Sequence, residues 1–482
     1  MDATSQNSDI LRLQELFVRW AGMPCTDCVP IAGGGGSSRR YFRLSAAGVS
    51  CIGTVASDQC ENEAFFAFSR HLHDRNIHVP LIYLIDDDRC HYLQQDLGDR
   101  TLYSMLLDKR RAGLGFDSQM LSLYRQVLAD LHAIQVAGRD ADFSLAVPRP
   151  AFDQRAMLWD LDYFKYYFLK LAGIPFDENR LNDDFLHFID TLLQADCTYF
   201  MYRDFQGRNI MVGDTLYYID YQGARRGAAQ YDVASLLYSA KSDIPEPVRA
   251  DLLRYYVDLH ADPCFMDHFW HYLLIRIMQT LGAYGFRGLY QHKPYFIESI
   301  PLALKNLRSV LDFHPLPDSY PELERVWNVL ANTDIFSQTD ATKPAAGEAN
   351  QATLTVSIQS FSYKQGLPSD PSGNGGGHIF DCRALPNPGR LEQFRPLTGR
   401  DRPVVEFLQE QPAVDDFLLH AEHIVCQSVD KYLERRFTHL SVAFGCTGGR
   451  HRSVYCAENL ALRLQRKYGD KIRVLLSHRE QE

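Results

Sequence analysis

Asp204 and Asn209 stand five residues apart in a loop between apolar runs, and Asp220 follows eleven residues later, behind the strand-like "TLYYID". Transfer of a phosphoryl group needs a base that orients and deprotonates the acceptor hydroxyl, and oxygen ligands for magnesium on the donor phosphates. Asp204 suits the first role; Asn209 and Asp220 suit the second. Asp and Asn also form ordinary turns, but here apolar strands flank both carboxylates at the separation expected of a phosphotransfer motif. Asp232, in "YDVASLL", reads both as the N-cap of a helix and as a brace for the loop that carries Asp204.

The pattern D-x4-N, then a strand and another Asp, is that of a protein-kinase-like catalytic segment. Such loops begin with His-Arg-Asp, whereas this chain has Tyr202-Arg203-Asp204, and residues 1–108 contain no lysine to meet the donor phosphates. The stretch "GGGGSSRRYFRL" offers a replacement. Gly34, Gly35 and Gly36 let backbone approach phosphate oxygens, the hydroxyls of Ser37 and Ser38 can donate, and Arg39, Arg40 or Arg43 can form charge-assisted hydrogen bonds.

A second group lies near the end of the chain. In "FGCTGGRHRSV" the spacing Cys446-x5-Arg452-Ser453 is that of a thiolate nucleophile above a phosphate cradle. The loop Cys446, Thr447, Gly448, Gly449, Arg450, His451, Arg452 and Ser453 connects a strand to a helix, where backbone amides and the helix dipole favour an anion. Binding follows from that placement and catalysis does not: a general acid is unassigned, with Asp381 and Asp401 as candidates, and Gly445 stands where tyrosine phosphatases have His. Cys25 and Cys28 have metal-like spacing, but no second close pair of Cys or His follows at a typical distance, so they read as ordinary thiols.

The elements that must hold these groups fall into two parts. An early helix, a hairpin around the glycine-dense turn, a helix over about Cys60–Asp74 and two short strands predict a small mixed sheet; helical periodicity dominates from Thr101 to Ala195 and from Tyr231 to Leu311. After the small, polar "SQTDATKPAAGEANQA", strands alternate with helices, which predicts an α/β layer. The expected domains are a first lobe over 1–98, a second over 99–335, a linker over 336–351 and an α/β domain over 352–482. From Gln351 onward 17 basic residues face 15 acidic ones, so that part carries +2 and the remainder −12 of the net −10. That balance argues against a whole-chain nucleic-acid or anionic-membrane binder. Eleven scattered cysteines fit reduced thiols, and with no apolar leader or spanning segment in view a cytoplasmic protein is expected.

"GGGSSRRYFRL", "YLQQDLGDRTL", "YRDFQGRNIMV" and "YYIDYQGARRGAAQYDVASLLY", in that order, resemble the aminoglycoside-phosphotransferase superfamily. They are most similar to its cell-wall-recycling kinases of N-acetylmuramate and N-acetylglucosamine, which phosphorylate the anomeric hydroxyl. Over residues 10–330 the resemblance implies an α+β, two-lobed protein-kinase-like fold, ATP between the lobes with a hinge at Gln95, Asp96 and Leu97, Mg2+ on Asn209 and Asp220, and Asp204 as base. "SFSYKQGLP", "HIFDCRALPNP", "RPLTGRDRPV" and "GCTGGRHRSVYCAENLA" resemble the C-terminal domain of the RNase adapter protein RapZ. That resemblance implies a hexosamine-phosphate effector, a small-RNA partner and oligomerisation. RapZ's own Walker-type ATPase motif is missing, and +2 is thin for an RNA binder, although Arg383, Arg390, Arg395, Arg400 and Arg402 could form a local patch.

The reading that results is an ATP-dependent amino-sugar 1-kinase fused to a sugar-phosphate-sensing domain. An aminoglycoside or other small-alcohol kinase, and a regulatory or RNA-binding protein with an inactive kinase lobe, are the alternatives. Polar and aromatic groups over Gln279–Phe296 are candidates to hold the sugar.

Overall fold

In a computed structural model the chain divides into two compact units, Met1–Ala341 and Thr342–Glu482. The described residues are 3–31, 39–314, 316, 319–333, 354–368 and 377–481. The predicted linker and five of the residues assigned to phosphate, Gly34, Gly35, Gly36, Ser37 and Ser38, lie outside them.

The first unit opens with α1 (Ala3–Ala21), β1 (Asp27–Ile31), β2 (Arg40–Ala46), β3 (Val49–Val55), α2 (Gln59–His73), β4 (Ile82–Ile85) and β5 (His91–Gln95). The strands form one antiparallel sheet in the order β1-β2-β3-β5-β4. Residues Ala47 and Gly48, with φ of 49° and 81°, make the β2–β3 turn, since positive φ at both positions matches the twist of a hairpin. Alternation in β2 buries Phe42, Leu44 and Ala46 against Leu13, Leu16 and Phe17 of α1, and Gly53 leaves room for Leu44, whose Cδ1 would stand 2.6 Å from a Cβ there. Phe65 and Phe66 of α2 pack on Tyr92 of β5.

The second lobe is mostly helical. It contains α3 (Leu102–Arg111), α4 (Ser118–Ala137), α5 (Gln154–Phe164) and α6 (Glu178–Leu192), then the short strands β6 (Tyr199–Met201), β7 (Ile210–Val212), β8 (Leu216–Tyr218) and β9 (Arg225–Gly227). It continues through α7 (Gln230–Leu237), α8 (Glu246–His260), α9 (Phe265–Tyr284), α10 (Pro294–Ile297), α11 (Ile300–Phe313) and α12 (Pro321–Ala331). The α9 segment and its continuation lie so close to the region of α5 that a Cβ on Gly285 would come within 2.0 Å of the Tyr167 carbonyl oxygen. No helix among the described residues is long and apolar enough to cross a membrane.

The second unit is β10 (Leu354–Ser362), β11 (Gly377–Asp381), α13 (Arg402–Gln409), α14 (Pro412–Glu434), β12 (His439–Cys446), α15 (Arg452–Tyr468) and β13 (Ile472–His478). Its sheet is parallel, in the order β11-β12-β10-β13. Every strand therefore ends on the same edge, the edge at which parallel α/β sheets bind ligands.

Candidate phosphotransfer site and anion loop

Two strand pairs build the first site. β6 pairs antiparallel with β9, and the loop that leaves β6 carries Asp204. The β7–β8 hairpin pairs Ile210 with Tyr218, so Asn209 and Asp220, eleven residues apart in the chain, stand side by side where the hairpin opens. The Ile219 amide donates to the Asn209 carbonyl at 3.0 Å. Asn209 Nδ2 then donates to the Asp204 carbonyl at 2.9 Å and to Asp220 Oδ2 at 3.1 Å, which ties the three residues together and leaves Asn209 Oδ1 as the atom suited to a cation.

Asp232 is not the helix cap. Ala229 holds that position with no side-chain hydrogen bond, and Asp232, within the first turn of α7, accepts from the amides of Tyr202 at 2.7 Å and Arg203 at 2.9 Å. It satisfies backbone that bends through Arg203 at a φ of 84°, a conformation that costs about 1–3 kcal/mol in a side-chain-bearing residue and is retained only where surroundings impose it. Burial pushes the Asp232 carboxyl up to about 7, opposed by those two amides. Asp220 also has a positive φ, 71°.

Burial raises the Asp204 carboxyl, but the charges of Arg276, Arg203 and Arg208 outweigh it, and the group titrates below its ordinary range. Arg276 Nη2 donates to Asp204 Oδ1 at 3.2 Å, and Arg203 donates to Asp160 of α5 at 2.6 Å while its guanidinium lies over Phe152 and Tyr231. Asp220 moves the opposite way, raised by burial and by the Asp204 charge. Asn209 Oδ1 and the Asp220 carboxylate are hard oxygen donors of the kind magnesium takes.

The three arginines proposed for phosphate part company. Arg40 is ion-paired with Asp9 of α1, and Arg43 holds Asp96 at 2.8 and 3.0 Å and Asp99 at 2.9 and 3.1 Å. Arg43 thus pins the predicted hinge, whose Gln95 pairs with Cys51 of β3 and whose Leu97 follows directly. Arg40 corrects the expectation that it meets phosphate, because the β2 strand sends alternate side chains to opposite faces and Arg40 meets the carboxylate of α1. Arg39 is 8% exposed, donates to Glu61 and Asn62 at 3.4 Å and feels the charge of Asp220. Glu61 is placed by the cap of α2, where Asp58 accepts from the Glu61 amide.

Beside the catalytic loop lies a cleft lined by Tyr103, Arg208, Lys241, Tyr284, Tyr295 and Phe296. Three of these belong to the aromatic stretch singled out as a sugar platform. Arg208 and Lys241 make the cleft basic, and burial lowers the Lys241 ammonium, with Glu298 opposing and Arg208 adding to the shift.

In the second unit, the amides of Ser453, Gly448 and Gly449 and the Ser453 hydroxyl, 3.1 Å from Sγ, converge on Cys446. Burial raises that thiol, but these donors outweigh burial and leave it below the ordinary thiol range. Gly445 is excluded from being His by packing: a Cβ would meet the Phe361 and Tyr363 rings at 2.5 Å. The loop's cations are a correction to the spacing argument. Arg452 is 5% exposed and donates to the carbonyls of Arg383 at 2.7 Å and Leu385 at 3.0 Å. His451 bonds the Phe394 carbonyl at 2.9 Å, and exposed Arg450 reaches Pro396 at 3.4 Å. Their side chains hold the neighbouring segment, and the anion-favouring groups are the backbone amides of Gly448, Gly449 and Ser453, the last at the start of α15. Of the two general-acid candidates, Asp381 is engaged by Arg383 at 2.6 Å, and Asp401 accepts from Thr398 at 2.7 and 2.9 Å.

Arg276, Asp160, Glu61 and Asn62 were missed in the sequence. The detectable signal was a charge inside an apolar helical run, as in "LLIRIMQTL" and "MLWDLDYF".

These features are an Asp204–Asn209–Asp220 frame in the first unit and a parallel α/β sheet in the second. Residues 27–266 match the phosphotransferase enzyme family, and residues 354–482 match the RapZ C-terminal domain; the chain carries a domain of each. It is 43% identical over 138 residues to a nucleotide-binding protein of Acidothermus cellulolyticus, across 28% of this chain and 43% of the relative. It is 35% identical over 203 residues to one of Methylococcus capsulatus, across 38% and 66%. The chain spans less than half the length of the first of these. Solved structures similar to it include an aminoglycoside phosphotransferase, APH(4)-Ia (14% identity, 61% of this chain and 98% of that one, TM-score 0.41). Another is choline kinase from Cryptosporidium parvum (11%, 63% and 93%, TM-score 0.43).

Proposed function

We propose that the first unit is an ATP- and Mg2+-dependent kinase that phosphorylates the anomeric hydroxyl of an N-acetylated amino sugar, N-acetylmuramate or N-acetylglucosamine. The observation that carries phosphotransfer is the single frame formed by Asp204, Asn209 and Asp220 within a phosphotransferase-family domain. Arg276 occupies Asp204 Oδ1, so Oδ2 is the atom placed to receive the acceptor proton as the hydroxyl oxygen attacks the terminal phosphorus. Asn209 Oδ1 and Asp220 would hold magnesium, which when bound offsets charge on the nucleotide phosphates. Arg39, backed by Glu61 and Asn62, is the cation offered to those phosphates from the first lobe.

The acceptor is argued from the cleft. Arg208 and Lys241 disfavour a polycationic antibiotic or a quaternary amine and suit a neutral or carboxylate-bearing ring, with Tyr103 and Tyr284 also in the lining. The second unit is then a binding domain for a phosphorylated sugar, held by loop amides. Asp204→Ala tests the core of this reading: phosphate transfer to either sugar falls by about 10^2–10^4-fold while nucleotide affinity is retained, and undiminished turnover would sink it. A panel of both sugars, kanamycin and choline, with product NMR to locate the phosphate, decides the acceptor; transfer confined to kanamycin or choline establishes the runner-up.

A further inference from the structure

The second unit gathers three thiols at the ligand-binding edge of its sheet. Cys446 ends β12, Cys382 follows the last residue of β11, and Cys456 lies on α15; none is more than 3% exposed. The parallel register pairs Asp381 with Gly445; Cys446 is the next and last residue of β12, while Cys382, next after Asp381, opens the short 3-10 turn Cys382–Ala384. Paired strands lie about 4.8 Å apart and a disulfide requires Cα atoms about 4.4–6.8 Å apart, so two cysteines that each directly follow a paired position leave the sheet at a spacing compatible with that bond. Cys382 also lies within reach of Cys456 and of the charge of Cys446.

The environments of the two sulfurs are complementary. Cys446 receives the Ser453 hydroxyl and the loop amides, donors that stabilise a thiolate, and a thiolate is the form that attacks a peroxide. Cys382 is held as a thiol by burial, which preserves it for a second step. Thr447 and Gly448, immediately after Cys446, are exposed, so the buried sulfur belongs to the residue next to a surface loop.

We propose that Cys446 is an oxidation site and Cys382 its resolving thiol, so that a hydroperoxide closes a disulfide between the ends of β11 and β12. The Cys446 thiolate attacks one oxygen of hydrogen peroxide; the S–O bond forms, the O–O bond breaks, and the departing hydroxide takes a proton to become water. Cys382 then attacks the sulfenic sulfur, giving up its proton as the S–O bond breaks and a second water leaves. Two electrons pass from the sulfurs to the peroxide, and the reaction balances as two thiols and one peroxide to one disulfide and two waters. The bond withdraws the thiolate on which the amides of Gly448 and Gly449 converge. Loss of anion affinity on oxidation is a consequence that rests on the loop's proposed role; the bond itself does not.

The full-length protein is treated with hydrogen peroxide, blocked with N-ethylmaleimide and digested without reduction for mass spectrometry. The expected product is a Cys382–Cys446 cross-linked peptide, reversed by dithiothreitol. Cys382→Ser should abolish the cross-link and leave a dimedone-reactive sulfenic acid on Cys446, Cys456→Ser should leave the cross-link in place, and circular dichroism checks that each variant is folded. A wild-type map in which Cys446 stays reduced while exposed Cys60 or Cys264 oxidises overturns the proposal, as does a Cys382–Cys456 bond in its place. Inorganic phosphate binding, measured before and after oxidation, is a separate readout: an intact cross-link without loss of phosphate affinity rejects the loop's anion role and leaves the redox pair standing.

Discussion

Arg276, in the middle of α9, donates to Asp204 across 3.2 Å, and so ties a helix of the second lobe to the loop after β6. Its charge is the largest influence holding the Asp204 carboxyl down against burial. As the base of the proposed transfer, Asp204 must be ionised when the acceptor hydroxyl arrives, and Arg276 keeps it so at lower pH than an isolated carboxylate would allow.

Replacing Arg276 with Leu should therefore raise the Asp204 pKa. The proton is then retained to higher pH, so the acid limb of the kcat/KM profile moves upward. Activity should fall more at about pH 5 than at about pH 8, with a loss of about tenfold or more on the acid side. A profile that drops uniformly without moving would assign Arg276 to acceptor binding alone.

Arg39 and Arg40 are adjacent in sequence and opposite in expected effect. Arg39→Ala removes a buried cation facing the side of the site that feels Asp220, and nucleotide affinity should weaken by about 10- to 100-fold, the worth of a charged hydrogen bond of about 1.5–3 kcal/mol. Arg40→Ala breaks a partly exposed pair with Asp9, worth about 1 kcal/mol at most, and should leave affinity within about twofold. Calorimetry with a non-hydrolysable ATP analogue distinguishes them; equal losses would remove Arg39 from the phosphate site.

Asp232 supports the catalytic loop through two buried amides. Asp232→Ala leaves both unsatisfied, at about 1–3 kcal/mol each, and should lower the thermal midpoint of the first unit. The pH dependence has a definite sign. With a carboxyl raised to about 7 in the fold against about 3.9 in the unfolded chain, the native state binds the proton better, so this group's contribution is full below about pH 4 and is lost as pH rises through 7. Asp232→Asn does not titrate, so its stability deficit relative to the unsubstituted protein should shrink between about pH 5 and pH 8 in parallel melts.

The proximity of Asn209 and Asp220 was legible because a hairpin converts sequence spacing into position: once "IMV" and "LYY" pair, the residues at its open end come together. The β-rich opening and the strand–helix alternation of the second unit were legible for the same local reasons. Arg276 was not, since it reaches Asp204 from 72 residues away through helix packing that no local period encodes. Arg452 shows the reverse failure. Its spacing from Cys446 locates a backbone position, but a long side chain can turn either way, and here the carbonyls of Arg383 and Leu385 receive the guanidinium that spacing alone assigned to phosphate.

Gly449 offers a test of how the anion loop sets the reactivity of Cys446. Its φ is 66°, and a Cβ would meet Glu480 Oε2 at 2.3 Å, a carboxylate oxygen that is buried without a hydrogen-bond partner. Gly449→Ala therefore strains the backbone by about 1 kcal/mol or more and displaces Glu480. It also tilts an amide that now points at the Cys446 sulfur. Losing that donor favours the thiol over the thiolate, so the pKa of Cys446 rises and the midpoint of its pH–rate profile for iodoacetamide alkylation moves upward. At neutral pH the alkylation slows by the corresponding fraction of thiolate. Cys446→Ser serves as the background, and an unshifted midpoint in a folded Gly449→Ala protein would show that Ser453 and the remaining amide hold the thiolate without help from residue 449.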